Sequence, residues 1–173
     1  MPVFVALLRA INVGGTGKLP MAELKAIAEG LGFAGVSTYI QSGNLIFRDG
    51  GDPAEITARL DAALGDRLGE SPGVFLRTPV ELRAGLDGNP FAAMAPERVL
   101  VSFFGEPPGD DALHGFVAPD GEEEVMRGRE IYVHYPIGSG RSKIKLPALK
   151  IGTSRNSNAV ARLAELAGGI KGA

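Results

Sequence analysis

Short apolar runs alternate with amphipathic stretches along this chain, and the order of the first half returns in outline in the second. Residues 3–8 (VFVALL) form a continuous apolar run of strand length, the pattern of a strand covered on both faces. After a glycine-rich loop, Met21, Leu24, Ile27, Ala28 and Leu31 recur at helical spacing, with Pro20 suited to the first turn and Gly32 to the stop. Val36, Thr38 and Ile40 alternate with Ser37, Tyr39 and Gln41, which predicts a half-buried strand. Ser42-Gly43 then turns into Leu45-Ile46-Phe47, so the two strands make a hairpin. Asp52-Pro53-Ala54-Glu55 supplies a cap, a proline at the first helical position and an acid at the third. Ile56, Leu60, Leu64 and Leu68 follow every fourth residue as one apolar stripe. Val74-Phe75-Leu76 closes a βαββαβ order. The first and third strands are the most apolar, which places them at the centre of a split βαβ sheet and the second and fourth at its edges.

Thr78-Pro79-Val80-Glu81 opens another capped helix that ends near Gly88, and Asn89-Pro90-Phe91 breaks the chain. A second apolar run, residues 99–104, starts the next unit. A Pro/Gly/Asp-rich stretch follows, with a short helix expected near Asp110–Gly115. Residues 124–126 and 131–135 form a hairpin around Gly128. Beyond them come a short helical piece near Ser142–Lys150, a loop at Gly152–Arg155 and a helix from about Ser157 to Ala167, with no clear fourth strand. The expectation is an α+β fold of two tandem ferredoxin-like (βαββα) units with antiparallel sheets packed against helices. Unit one covers 1–77, a helical connector 78–97, and unit two 98–173 with the C-terminal helix.

Composition changes this picture little. The 173 residues are 45% hydrophobic and 22% charged, close to globular averages. No apolar run approaches the roughly 18–20 residues that span a bilayer. The apolar N-terminus lacks a basic flank and meets Arg9 rather than a cleavage site, so it reads as a strand and not as a signal peptide. The absence of cysteine excludes disulfides, thiolate metal sites and cysteine nucleophiles, and a cytoplasmic location is expected.

Charge is uneven beneath a net value of −2. Residues 106–124 carry seven acids and no lysine or arginine. Residues 127–155 carry seven bases (Arg127, Arg129, Arg141, Lys143, Lys145, Lys150, Arg155) against the single acid Glu130. Either these runs are solvated faces or the basic segment meets something anionic.

Three segments could carry chemistry. Arg9-Ala10-Ile11-Asn12-Val13-Gly14-Gly15-Thr16-Gly17-Lys18 lies between a strand and a helix, where glycines turn backbone amides toward an anion and the helix N-terminus adds partial positive charge. A Walker motif needs glycine where Asn12 stands and Ser or Thr where Leu19 stands, so nucleotide hydrolysis is not expected. The second segment, residues 135–143, joins Gly138-Ser139-Gly140 to Arg141 and Lys143, which suit phosphate or carboxylate. The third is Thr153-Ser154-Arg155-Asn156 before the last helix, whose polar groups suit helix caps and whose site also suits an anion. His134 falls on a strand between aromatic residues, and Ser42 and Asn44 read as turn residues. Neither a zinc motif nor a nucleophile elbow is present, and the exposed aromatics of an RNA-recognition sheet are missing.

The blocks VALLRAINVGGTGKLPMAELKAIAEGLGF, STYIQSGNLIF, NPF, REIYVHYPIGSGRSK and GTSRN, running in order from residue 3 to about 167, resemble the bacterial family catalogued as domain of unknown function 1697. The resemblance implies a cytosolic protein of two ferredoxin-like repeats and no established activity. The chain departs from the family at Ser157, where an aromatic (Trp) usually follows Arg-Asn, and in a shortened piece at Leu146–Ile151.

The leading expectation is therefore binding of a small anionic ligand, phosphorylated or carboxylated, by Arg9, Asn12, Gly14, Gly15, Lys18, Arg141, Lys143, Arg155 and Asn156. Two alternatives stand beside it: single-stranded nucleic-acid binding through 127–155, and a protein-interaction or homodimerisation module using exposed sheet edges. No cofactor, metal site or membrane partner follows from the residues.

Overall fold

The computed structural model describes residues 1–9, 19–39 and 43–170, with Arg141 described by its backbone alone. Its contacts divide the chain into two units, one of Met1–Glu81 joined by the C-terminal segment from Leu163, the other Leu82–Arg162.

In the first unit the strands are β1 (Val3–Leu8), β2 (Ala34–Thr38), β3 (Asn44–Arg48) and β4 (Val74–Arg77), and the helices are α1 (Met21–Gly30) and α2 (Pro53–Leu68). The sheet is antiparallel in the order β2-β3-β1-β4, so the two most apolar strands are central and the alternating ones lie at the edges. All six residues of β1 are buried. Phe4, Ala6 and Leu8 join Leu24, Ala28, Phe33, Phe47, Ile56, Leu60 and Leu64 in one core, so the helical stripes read from spacing face the sheet. Each fully buried leucine there contributes about 2 kcal/mol over an exposed one. Phe33 stacks on Phe47 with centroids 4.3 Å apart, and the Arg59 guanidinium lies 5.1 Å over the Phe33 ring while donating to Leu31 O. Asp52 caps α2 by accepting from Ala54 N at 3.1 Å, and Gly69 closes the helix at φ +81°, a left-handed conformation that favours glycine.

The helix α3 (Pro79–Asp87) starts with a reciprocal cap: Glu81 N donates to Thr78 Oγ1 at 3.1 Å, and Thr78 N to a Glu81 carboxylate oxygen at 2.9 Å. The second sheet contains β5 (Val99–Phe103), β6 (Glu123–Arg127), β7 (Glu130–His134) and β8 (Thr153–Asn156), antiparallel in the order β6-β7-β5-β8, and α4 (Ser157–Gly168) follows. Phe104, Ile131, Val133, Tyr135 and Leu146 form its core.

Three expectations need correction here. The short helical piece expected near Ser142–Lys150 is two 3-10 turns, Ser139–Arg141 and Pro147–Ile151, with Lys145 between them bridged to Val117. The loop expected at Gly152–Arg155 is largely strand β8, paired with β5 from Leu100↔Asn156 to Phe103↔Thr153. It escaped pattern reading because its buried positions, Thr153 and Arg155, are polar and satisfy themselves locally. The short helix expected near Asp110–Gly115 is a run of turns, with Ala112 N donating to Gly109 O and His114 N to Asp111 O. Among the described residues, no helix is long and apolar enough to cross a membrane.

Candidate functional site

In the first sheet, β1 ends, β2 ends, β3 begins and β4 begins at one end. The register sets this: Leu7 faces Asn44, Thr38 faces Leu45 and Leu8 faces Val74. Arg9 is the first residue beyond that edge. Its N–H donates to Gly73 O at 3.1 Å and its Nε to Pro72 O at 3.4 Å, while Leu8 N donates to Gly43 O at 2.9 Å. Gly43 and Gly73 stand at φ +79° and +91°, conformations that glycine adopts without strain. Arg9 is thus held against the Pro72-Gly73 turn, and the residue before it is bonded to the Gly43 turn. Asn44 is not a turn residue but the fully buried first residue of β3, paired with Leu7, and it holds the hairpin by donating from Nδ2 to Tyr39 O at 2.9 Å; Ser42 lies outside the described residues.

The helix α1 starts close by in sequence. Among the described residues its first turn has no side-chain cap, and Pro20 O accepts from Glu23 N and Leu24 N. The other three helices all have side-chain caps: Asp52 on α2, Thr78 on α3, and Asn156 on α4, where Oδ1 accepts from Ala159 N at 2.8 Å. Asn12, Gly14, Gly15 and Lys18 lie outside the described residues.

The remaining site residues belong to the second unit. The backbone of Ser139–Arg141 forms a 3-10 turn and Lys143 is exposed beyond it. Glu122, 4% exposed, organises this stretch by accepting from Asp120 N at 3.2 Å and Ser142 Oγ at 3.4 Å. Arg155 is 6% exposed, with Nη1 donating to Thr153 Oγ1 at 2.7 Å and to Ser154 O at 2.9 Å. Burial pushes its guanidinium down to about 10, so it stays charged at neutral pH. Asn156 spends its amide oxygen on the α4 cap.

The basic segment is not one strip. Arg155 is buried, Arg127 and Arg129 donate to Gly88 O and Gly105 O, and Lys143, Lys145 and Lys150 are exposed.

Arg77 went unremarked in the sequence, yet it is the counterpart of Arg155. Each stands on the fourth strand of its unit, opposite the third residue of the first strand (Val5↔Arg77, Val101↔Arg155). Each is almost fully buried, donates to the carbonyl just before it, and precedes the cap of the next helix. Only superposing the two halves strand on strand would have revealed the pair.

A groove of about 210 Å³ in the second unit is lined by Leu86, Phe91, Met94, Pro96, Ser157 and Asn158 among others. Ser157 donates from Oγ to Pro96 O at 2.7 Å and ties α4 to the 3-10 turn Pro96–Arg98. Among the described residues, no cluster of three His, Asp or Glu could hold a metal ion.

Among solved structures, the chain is similar to conserved bacterial protein SP0830 from Streptococcus pneumoniae, with a TM-score of 0.79 and 22% identity over 96% of this chain and 98% of that one. At that identity the likeness speaks for the fold alone. No curated protein matches. The family described as protein of unknown function, DUF1697, matches residues 1–132. Those residues cover β1 to β6 and the start of β7, more than half of the chain, and the chain belongs to that family.

Proposed function

We propose that the chain binds a small anionic ligand, phosphorylated or carboxylated, at the end of the first sheet where Arg9 leaves β1. The observation that carries this reading is the meeting of three connections around that arginine: the β1–α1 loop, the β2–β3 turn through Gly43 and the α2–β4 turn through Gly73. A guanidinium so placed contributes its charge whatever carbonyls it also contacts. The first turn of α1, without a side-chain cap among the described residues, adds the positive end of a helix dipole; Gly14, Gly15 and Lys18, outside the described residues, enter the proposal from the sequence as amide donors and a second cation.

The same proposal takes both units as ferredoxin-like modules working in the cytoplasm. Each has a 2-3-1-4 strand order with every neighbour antiparallel, the arrangement of the split βαβ motif. Lys143, with Arg141, is an outlying part of the anionic reading. Arg155 and Asn156 enter it only as groups that shape the backbone, since both are committed within their own unit.

Isothermal titration with inorganic phosphate, a nucleoside monophosphate and citrate tests the reading. Arg9→Ala and Lys18→Ala should each weaken binding by about tenfold or more, equivalent to roughly 1.4 kcal/mol. Arg9→Lys should retain part of it, because charge survives without the planar fork. Absence of binding by the unaltered protein, or binding that neither alanine variant weakens, overturns the proposal.

A further inference from the structure

Four strands edge the two sheets, and they differ as docking edges. β2 carries a register shift between Ala34 and Ser37, with Gly35 at φ +58°. β4 and β8 are four residues each. β6 has five residues in unbroken register with β7, from Glu123↔His134 to Arg127↔Glu130.

The hydrogen-bond phase of β6 follows from its neighbours. Phe104 N donates to Arg129 O, so positions 129, 131 and 133 turn their backbone groups toward β5, and Glu130, Tyr132 and His134 turn theirs toward β6. Glu123, Val125 and Arg127 are then the hydrogen-bonded partners of β7. The N–H and C=O groups of Glu124 and Met126 point out of the sheet. Among the described residues neither makes a backbone bond to another element.

We propose that β6 pairs with β6 of a second copy of this chain, antiparallel about a twofold axis at Val125, so that two four-stranded sheets become one of eight strands. That axis sets Glu124 of each copy opposite Met126 of the other, which are the two residues whose backbone groups face outward. It also sets Glu123 opposite Arg127 of the second copy, twice, on the face shared with Val125. The segment Glu123-Glu124-Val125-Met126-Arg127 carries acid at one end and base at the other, so self-pairing in this direction is charge-complementary on both flanks. An axis one residue away, at Glu124, would set that carboxylate against itself. The occupant is therefore a second copy and not an arbitrary peptide strand.

One strand pair is a small contact, so the dimer is weak. Sedimentation equilibrium of the full chain from about 10 µM to about 1 mM covers the corresponding range. A reversible dimer is expected. Met126→Pro removes an outward N–H and leaves the β6–β7 bonds intact, and it should weaken the dimer at least tenfold. Glu123→Arg sets arginine against arginine and should do the same, whereas the double variant E123R/R127E restores opposite charges and the dimer. A monomer across the whole range overturns the proposal. So does a dimer indifferent to both single changes, or one that the charge exchange fails to restore while circular dichroism shows the variants folded.

Discussion

Asn156 shows at the scale of one residue how a polar group can serve fold before function. Its Oδ1 accepts from Ala159 N and so satisfies one of the amides that begin α4. Asn156→Ala should cost about 1 kcal/mol in urea denaturation, and Asn156→Asp should keep most of the stability because a carboxylate also caps. No loss in the alanine variant would show the cap to be idle. Tyr132 and Tyr135 carry a second residue-scale prediction. Burial raises both phenols to about 12, helped by Glu130 beside Tyr132 and Glu122 beside Tyr135. The folded state then keeps protons that the unfolded state releases near 10, so this contribution is complete below pH 10 and is lost as the pH rises toward 12. Arg155, lowered to about 10, works in the opposite direction over the same interval and offsets part of the loss. Denaturation midpoints measured from pH 8 to pH 11.5 should fall, and Tyr135→Phe should flatten the decline. A midpoint that rises with pH contradicts this assignment.

Elements were legible in the sequence where burial is apolar. The stripe of Ile56, Leu60 and Leu64, the proline starts of α2 and α3 and the all-apolar β1 each use one hydrophobic period and stop signal, and each element formed where its pattern placed it. β8 was not legible, because Thr-Ser-Arg-Asn shows neither alternation nor apolar content. Its place is set by non-local partners: the backbone of β5, and a Ser102–Ser154 hydroxyl contact of 2.6 Å. The entry to that strand gives a prediction of its own. A Cβ at Gly152 would lie 2.7 Å from Phe103 O and 2.8 Å from the Phe104 ring, so alanine there must push a central strand or its aromatic neighbour aside. Gly152→Ala should destabilise by roughly 1–3 kcal/mol. A loss below about half a kcal/mol in urea denaturation would mean that β8 is loosely held.

Across the whole molecule, the candidate site was half readable. The sequence showed that glycines and bases cluster in loops. It could not show that Arg9 shares an end of its sheet with Gly43 and Gly73, because that follows from antiparallel register between segments more than thirty residues apart. Nor could it show that Arg155 and Asn156 serve strand and helix, since buried and exposed arginines look alike in a string of letters. The proposed function depends on where an anion settles, and amide chemical shifts during titration of the labelled full chain with inorganic phosphate answer that directly. Saturable shifts are expected at Arg9, Leu19, Met21, Tyr39, Gly43 and Gly73, and absent from the same titration of Arg9→Ala. Shifts confined to Lys143, Lys145 and Lys150, or unchanged by Arg9→Ala, would contradict the account.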